Sequence, residues 1–291
     1  AETTQEGVGN EATVEQTGAD HESYIIQDSK TGKHNTAKFG NEANVKQYNG
    51  NENYSLIHQN EGSGSKDGLA DVEQKGSENE SEIYQGYGYY NEMDLYQEGD
   101  DNWSSMTQNG SGNDAEVDQI GNGNQSDAFQ RGGAILDVYQ EGDGNDADAH
   151  QDYSGQEADI DQVGDDNIAN VTQMSRPQPV VGNYAEINQE GQENETEITQ
   201  DGDNNTAKHW VYGHDNEMEI TQEGRMNVAV VDQKSLKDVD NYENEITIEQ
   251  TNNSSGAGND FYAKLKGDDN NINITQNGAY NGIRGLNGHV Y

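Results

Sequence analysis

Asn194-Glu195-Thr196-Glu197-Ile198-Thr199-Gln200-Asp201-Gly202, NETEITQDG, sets an asparagine and a glutamine around five residues in which outward-type and inward-type side chains alternate. The same bracket returns as NEATVEQTG from Asn10, NDAEVDQIG from Asn113 and NNINITQNG from Asn270. Aligned on it, the chain reads as about twenty-three units of the form NxaxbxQ from Asn10 to Asn281, preceded by a half unit ending at Gln5. Position a is small or apolar and position b is mostly Val or Ile.

Where nothing is inserted, Gln leads to the next Asn through QxGxxN, so seven bracketed residues and four linkers give a period of eleven. An eleven-residue helical repeat needs apolar residues at steps of three and four, whereas the step here is two, the signature of a strand. Linker glycines at Gly7, Gly99, Gly110, Gly121, Gly142, Gly164, Gly191, Gly202, Gly224 and Gly278 suit tight turns that call for positive φ. Both prolines, Pro177 and Pro179, lie in an inserted linker where no ladder N–H is lost. The whole chain, 1–291, is expected to be one repeat domain with inserted linkers near 28–40, 60–67, 174–182, 234–243 and 251–258. A degenerate strand around Asn35 to Phe39 fits the first of these.

In a strand the first, third, fifth and seventh residues share a face. That face carries Asn, a, b and Gln; the other carries residues such as Glu195, Glu197 and Thr199, so the first is the inside. One strand offers too little apolar surface to offset an ordering entropy of about 1–2 kcal/mol per residue. Stability has to come from stacking. The expected fold is all-β: a two-sheet parallel β-solenoid of about 22-residue, two-strand turns, in which each strand pairs with the one two units on. Gln200 then lies over Gln222, Asn194 over Asn216 and Ile198 over Ile220. A buried amide stacked on its own kind can both donate and accept. The predicted ladders run through Asn10, Gln16, Asn113, Gln119, Asn167, Gln173, Asn194, Gln200, Asn216, Gln222, Asn270 and Gln276.

Only 29% of the 291 residues are hydrophobic and the formal net charge is −41, with 15 basic against 56 acidic side chains. That composition alone reads as disordered, and the regular spacing overturns it. The charge opposes binding to nucleic acid or to an anionic membrane. No apolar run approaches membrane-spanning length. Without cysteine, neither disulfides nor thiolate metal sites are available. The chain opens on Ala1 and is in the pattern by Gln5, which suits a mature form whose leader has been removed.

The order of residues resembles the curlin subunits of bacterial curli fibres, whose repeats run QxGxxNxAxxxQ. It stands here at Gln5, Gly7, Asn10, Ala12 and Gln16; at Gln108, Gly110, Asn113, Ala115 and Gln119; and at Gln162, Gly164, Asn167, Ala169 and Gln173. The resemblance implies a secreted, extracellular β-solenoid that adds to itself end to end as an amyloid fibre of the biofilm matrix and mediates adhesion. By resemblance its partners are a nucleator subunit and an outer-membrane secretion pore. No catalytic residues and no cofactor are expected.

GDDN at Gly99–Asn102, Gly164–Asn167 and Gly267–Asn270 puts carboxylates on turns, where calcium takes oxygen ligands, but the same residues are ordinary turn formers. A monomeric, calcium-stabilised solenoid used as an adhesin is therefore the alternative reading. Outward threonines (Thr172, Thr199, Thr221, Thr247, Thr275) lack the TxT pattern of an ice-binding face. The histidines His21, His34, His58, His150, His209, His214 and His289 show no metal-site spacing; His209 at an inward b position and His21 in an Asn slot read as tolerated substitutions. Carboxylates lie on convex faces with no pocket predicted to perturb them, which argues against a glycosidase-like pair. Outward tyrosines such as Tyr84, Tyr96 and Tyr139 fit either adhesion or simple strand preference.

Overall fold

The computed structural model describes residues 1–7, 9–29, 40–60, 67–175, 181–234, 244–252, 258–266, 271–278 and 282–287. The proposed strand at Asn35 to Phe39 and the ladder residue Asn270 lie outside them. The described residues contain no helix, and their strands fall in two compact units, Ala1–Asp143 and Gly144–Tyr291.

In the first unit the strands are β1 (Glu2–Gly7), β2 (Glu11–Ala19), β3 (Glu22–Ser29), β4 (Glu42–Asn51), β5 (Tyr54–Asn60), β6 (Leu69–Lys75), β7 (Glu80–Gln85), β8 (Glu92–Glu98), β9 (Trp103–Asn109), β10 (Asp114–Ile120), β11 (Gln125–Arg131) and β12 (Ile135–Glu141). Odd strands form one parallel sheet in sequence order and even strands another. The second unit repeats the scheme with β13 (Asp146–Asp152), β14 (Glu157–Asp165), β15 (Ile168–Met174), β16 (Tyr184–Gln192), β17 (Glu195–Asp203), β18 (Thr206–His214), β19 (Asn216–Arg225), β20 (Val228–Lys234), β21 (Asn244–Asn252), β22 (Asp260–Lys266), β23 (Asn271–Asn277) and β24 (Gly282–Asn287). The two-sheet parallel solenoid expected from the spacing is the fold observed. Its half unit ending at Gln5 is β1.

Register follows the bracket. Ile198 sits opposite Ile220, and Gln200 opposite Gln222. Where a linker is inserted the register survives: Gln27 still meets Gln59, 32 residues on. The reason is that a one-residue slip would turn every inward side chain out.

The core between the sheets is thin. Ile25, Ile57, Ile83, Ile160, Ile187, Ile198 and Ile220 are shut off from solvent. Where β11 carries only Ala128 at position b, β12 carries Leu136 at position a instead of the usual Ala, and both are buried. Volume moves from one sheet to the other, as close packing demands. In the odd sheet of the first unit, position a is a column of buried serines, Ser23, Ser55, Ser81, Ser104 and Ser126, whose hydroxyls have no hydrogen-bond partner.

Each regular arc needs two left-handed residues. One is the glycine: at Gly99 φ is +118°, and a Cβ there would overlap the carbonyl oxygen of Gly121 one rung on. The other is the residue just before Asn, which is Asp101, Asp166 and Glu193 in successive examples, with φ of 60°, 56° and 54°. Short acids and amides tolerate that conformation, which explains the D and N of the linkers.

Two contrasts check this. Ser81→Ala removes an unpartnered buried hydroxyl and should raise the urea midpoint, by about 1 kcal/mol of stability. Gly99→Ala should lower it by more than 1 kcal/mol or so, whereas Gly112→Asn, at a left-handed position with nothing within 4 Å of a Cβ, should leave it nearly unchanged.

Candidate assembly core of stacked amides

The inward Gln at the seventh bracket position forms continuous rows. In the first unit Gln5, Gln27, Gln59, Gln85, Gln108 and Gln130 each pass Nε2–H to the Oε1 of the next, at 2.7–3.0 Å. Gln16, Gln47, Gln74, Gln97, Gln119 and Gln140 do the same in the even sheet at 2.7–2.9 Å. In the second unit the odd row runs Gln151, Gln173, Gln200, Gln222, Gln250, Gln276. Nε2 also reaches a main-chain carbonyl of the facing sheet, as Gln200 does to Tyr184 and Gln119 to Trp103, both at 3.0 Å. Both amide hydrogens are therefore used. One ties rung to rung and the other ties sheet to sheet, a role that strand periodicity alone does not reveal.

The Asn at the first position works in the opposite sense. Asn216 Nδ2 donates back to Asn194 Oδ1 at 2.7 Å, and Asn194 Nδ2 back to Asn167 Oδ1 at 2.9 Å. The same Oδ1 accepts the main-chain N–H of the next Asn, as in Asn113 to Asn91 at 3.2 Å. Nδ2 reaches forward to an arc carbonyl: Asn194 to Gly213, Asn167 to Gly191, Asn102 to Gly121. Asn10, at the first rung, donates to the Glu6 carbonyl, and its Oδ1 accepts the Asn41 N–H at 3.1 Å. The named glycines from Gly99 to Gly278 all have φ between +95° and +139°, while Gly7 closes β1.

Two exceptions preserve one function of the Asn slot. His21 fills it with Nδ1, which faces the Asn53 N–H at 3.3 Å, and Gln156 fills it with Oε1, which accepts from Asn183 at 2.8 Å. Both substitutes keep an acceptor for the next rung's main-chain N–H, whereas Gly68 and Ala134, in the same slot, offer no such side-chain acceptor and donate to the rung before through their own N–H groups. In β18 the Gln row stops at Val211. There Gln189 Nε2 turns to Thr196 Oγ1 at 3.0 Å, and that hydroxyl meets His209 Nδ1 at 2.8 Å. All of these side chains are buried.

A third row, on the arcs between even and odd strands, escaped the sequence reading. Asn51, Ser77, Asp100, Asn122 and Asp143 each accept the main-chain N–H of the matching residue one rung before. The signal was a short polar residue three positions after Gln, or four at Asn51, where the β2–β4 register shifts. Asp100 of the first GDDN turn is thus engaged with Ser77, and Asp165 of the second with Gln192. Among the described residues, no three His, Asp or Glu side chains are grouped so as to hold a metal ion. The third GDDN lies outside them.

The outer faces are acidic and sparsely paired. Glu195, Glu217 and Glu245 form one column by register. On the even sheet of the second unit, Glu186 accepts from Lys208, Tyr184 and Trp210. Partial burial works to raise its carboxyl, and these three donors outweigh it, so it sits below the ordinary glutamate range.

Asn194→Ala would strand the Gly213 carbonyl and the Asn216 donors, and would leave Asn167 Oδ1 with only the main-chain N–H of residue 194. It should cost about 1–3 kcal/mol, and more than Glu195→Ala on the same strand, in urea unfolding.

A sequence model of the curlin associated repeat matches residues 1–28, 90–121 and 182–208. No curated protein matches the chain. Three matches spread along the chain, on strands that stack with the bracket in register, support its being a curlin-family protein.

Proposed function

We propose that this chain is a curli-type structural subunit that adds end to end into an extracellular fibre of the biofilm matrix and mediates adhesion. The observation that carries the reading is the pairing of the outermost strands. Among the described strands, β1 and β2 have one partner each, β3 and β4, and β23 and β24 one each, β21 and β22. Such edges carry main-chain groups without a strand partner, and head-to-tail addition that does not close gives a filament. The amide rows fix the register in which one copy stacks on the next, and the repeats act as one domain. A nucleator subunit and a secretion pore are the partners that the family suggests. Repeat family and fold are structural rather than enzymatic.

Electron microscopy of purified protein with and without chelator tests this. Filaments that survive chelation are expected; persistent monomers that unfold in chelator would favour a calcium-stabilised adhesin.

Charge sets the pH response. Burial first, then Asp71, Glu92, Glu116 and Asp114, push the Asp94 carboxyl up to about 6. Burial raises Asp118 and Asp161 too. A carboxyl raised in the fold binds a proton that the unfolded chain, titrating near 4, releases, so acidification from about 6 toward 4 stabilises the fold at Asp94 and acts in the same direction at Asp118 and Asp161. Glu73, Glu98 and Glu186 are shifted down, and their contribution is lost only as pH falls below the ordinary glutamate range, about 4.3. Fibre growth followed with a thioflavin-type dye should therefore speed up between pH 7 and 5 at fixed ionic strength. Asp94→Asn should grow faster than the parent at pH 7 and respond less to acid. A growth rate that falls on acidification would show that protonating these carboxyls does not favour assembly.

A further inference from the structure

Tyr24 on β3 and Tyr54 on β5 stand on the outer face of one sheet, with ring centroids 5.9 Å apart and planes inclined by 44°. The register puts Glu22 opposite Tyr54 and Tyr24 opposite Leu56, so the two tyrosines are diagonal neighbours on adjacent strands, within aromatic reach. Both are half-buried, open enough for a diffusing oxidant and confined enough to stay together. The Tyr24 hydroxyl donates to Glu22 Oε2 at 3.3 Å, which gives its proton somewhere to go when the ring loses an electron. The chain has no cysteine, so no disulfide can join one rung to another.

The geometry points to Tyr24 and Tyr54 as a modification site, at which a peroxidase using hydrogen peroxide couples the two rings into dityrosine. Each phenol gives up one electron and one proton, Tyr24 passing its proton to Glu22 and thence to water. The two phenoxyl radicals form a carbon–carbon bond between ring positions ortho to oxygen. Each ring then regains aromaticity by moving its displaced ortho hydrogen to oxygen. In all, two phenols and one hydrogen peroxide give one dityrosine and two waters. The product fastens β3 to β5 across the long insertion that separates them in sequence.

The test is oxidation of the whole folded chain with peroxidase and hydrogen peroxide, followed by peptide mapping. A cross-linked peptide joining residues 24 and 54, two hydrogens lighter than its parts, is expected. It should fall many-fold when oxidation is done in denaturant and vanish in Tyr54→Phe. Glu22→Gln should slow its formation several-fold without moving it. Tyr89 and Tyr90, adjacent in sequence with centroids 6.5 Å apart and both exposed, report whether the oxidant reached the chain. Oxidation at Tyr89 and Tyr90 without the 24–54 link, equal yield in denaturant, or no dityrosine at all would overturn the proposal. An unchanged rate in Glu22→Gln would overturn the part given to the carboxylate.

Discussion

A buried primary amide must find a partner for each hydrogen and for its oxygen, or it destabilises the fold by the loss of its hydration. Everything else in this structure depends on the way that demand is met. Gln200 cannot be satisfied within its own strand; it needs Gln173 before it, Gln222 after it and the Tyr184 carbonyl across the core. A single rung therefore has no stable existence, and stacking is a requirement rather than an embellishment. The same demand selects the parallel, in-register arrangement, because only there does each amide meet its own kind at the strand spacing of about 4.8 Å. With so few apolar residues, the amides and the thin Ile and Val core together supply the specificity that a larger domain draws from packing alone.

The rows also explain some of the departures the repeat accepts. His21 and Gln156 keep an acceptor in line with the next rung's N–H, so the chain runs on through them. Val211 supplies none, and the gap is closed by a detour through Thr196 and His209, drawn from both sheets. That detour makes β17 and β18 mutually dependent in a way other facing strands are not. A threonine at the small position of β17 and a histidine at the apolar position of β18 look like unrelated blemishes along the sequence. In space they are two parts of one repair.

Strand period, face assignment and the partner two units away were legible because period-two alternation leaves one consistent inside, and Asn and Gln in it demand copies of themselves. Other features were not legible, for identifiable reasons. The direction in which each amide donates depends on side-chain rotamers that spacing does not encode. The left-handed residue before Asn, Asp101 or Glu193 for example, reads in sequence as a solubilising charge, and only the arc geometry reveals its conformational duty. The arc row through Ser77 and Asp100 was hidden because Ser, Asp and Asn are interchangeable acceptors, so no single letter repeats. Asp100 and Asp165 of the GDDN turns each accept from a neighbouring arc, a use that turn composition alone does not reveal.

Gln amides donate toward the C-terminal rungs, whereas the Asn-to-Asn bonds of the same sheet point toward the N-terminal ones. Had every amide pointed one way, their aligned dipoles would have left partial charges of opposite sign at the two ends, as in a helix. Opposed rows largely cancel. A stack built this way presents little net charge from its amide rows at either end, so an incoming copy meets hydrogen-bonding groups there rather than the pole of a long dipole.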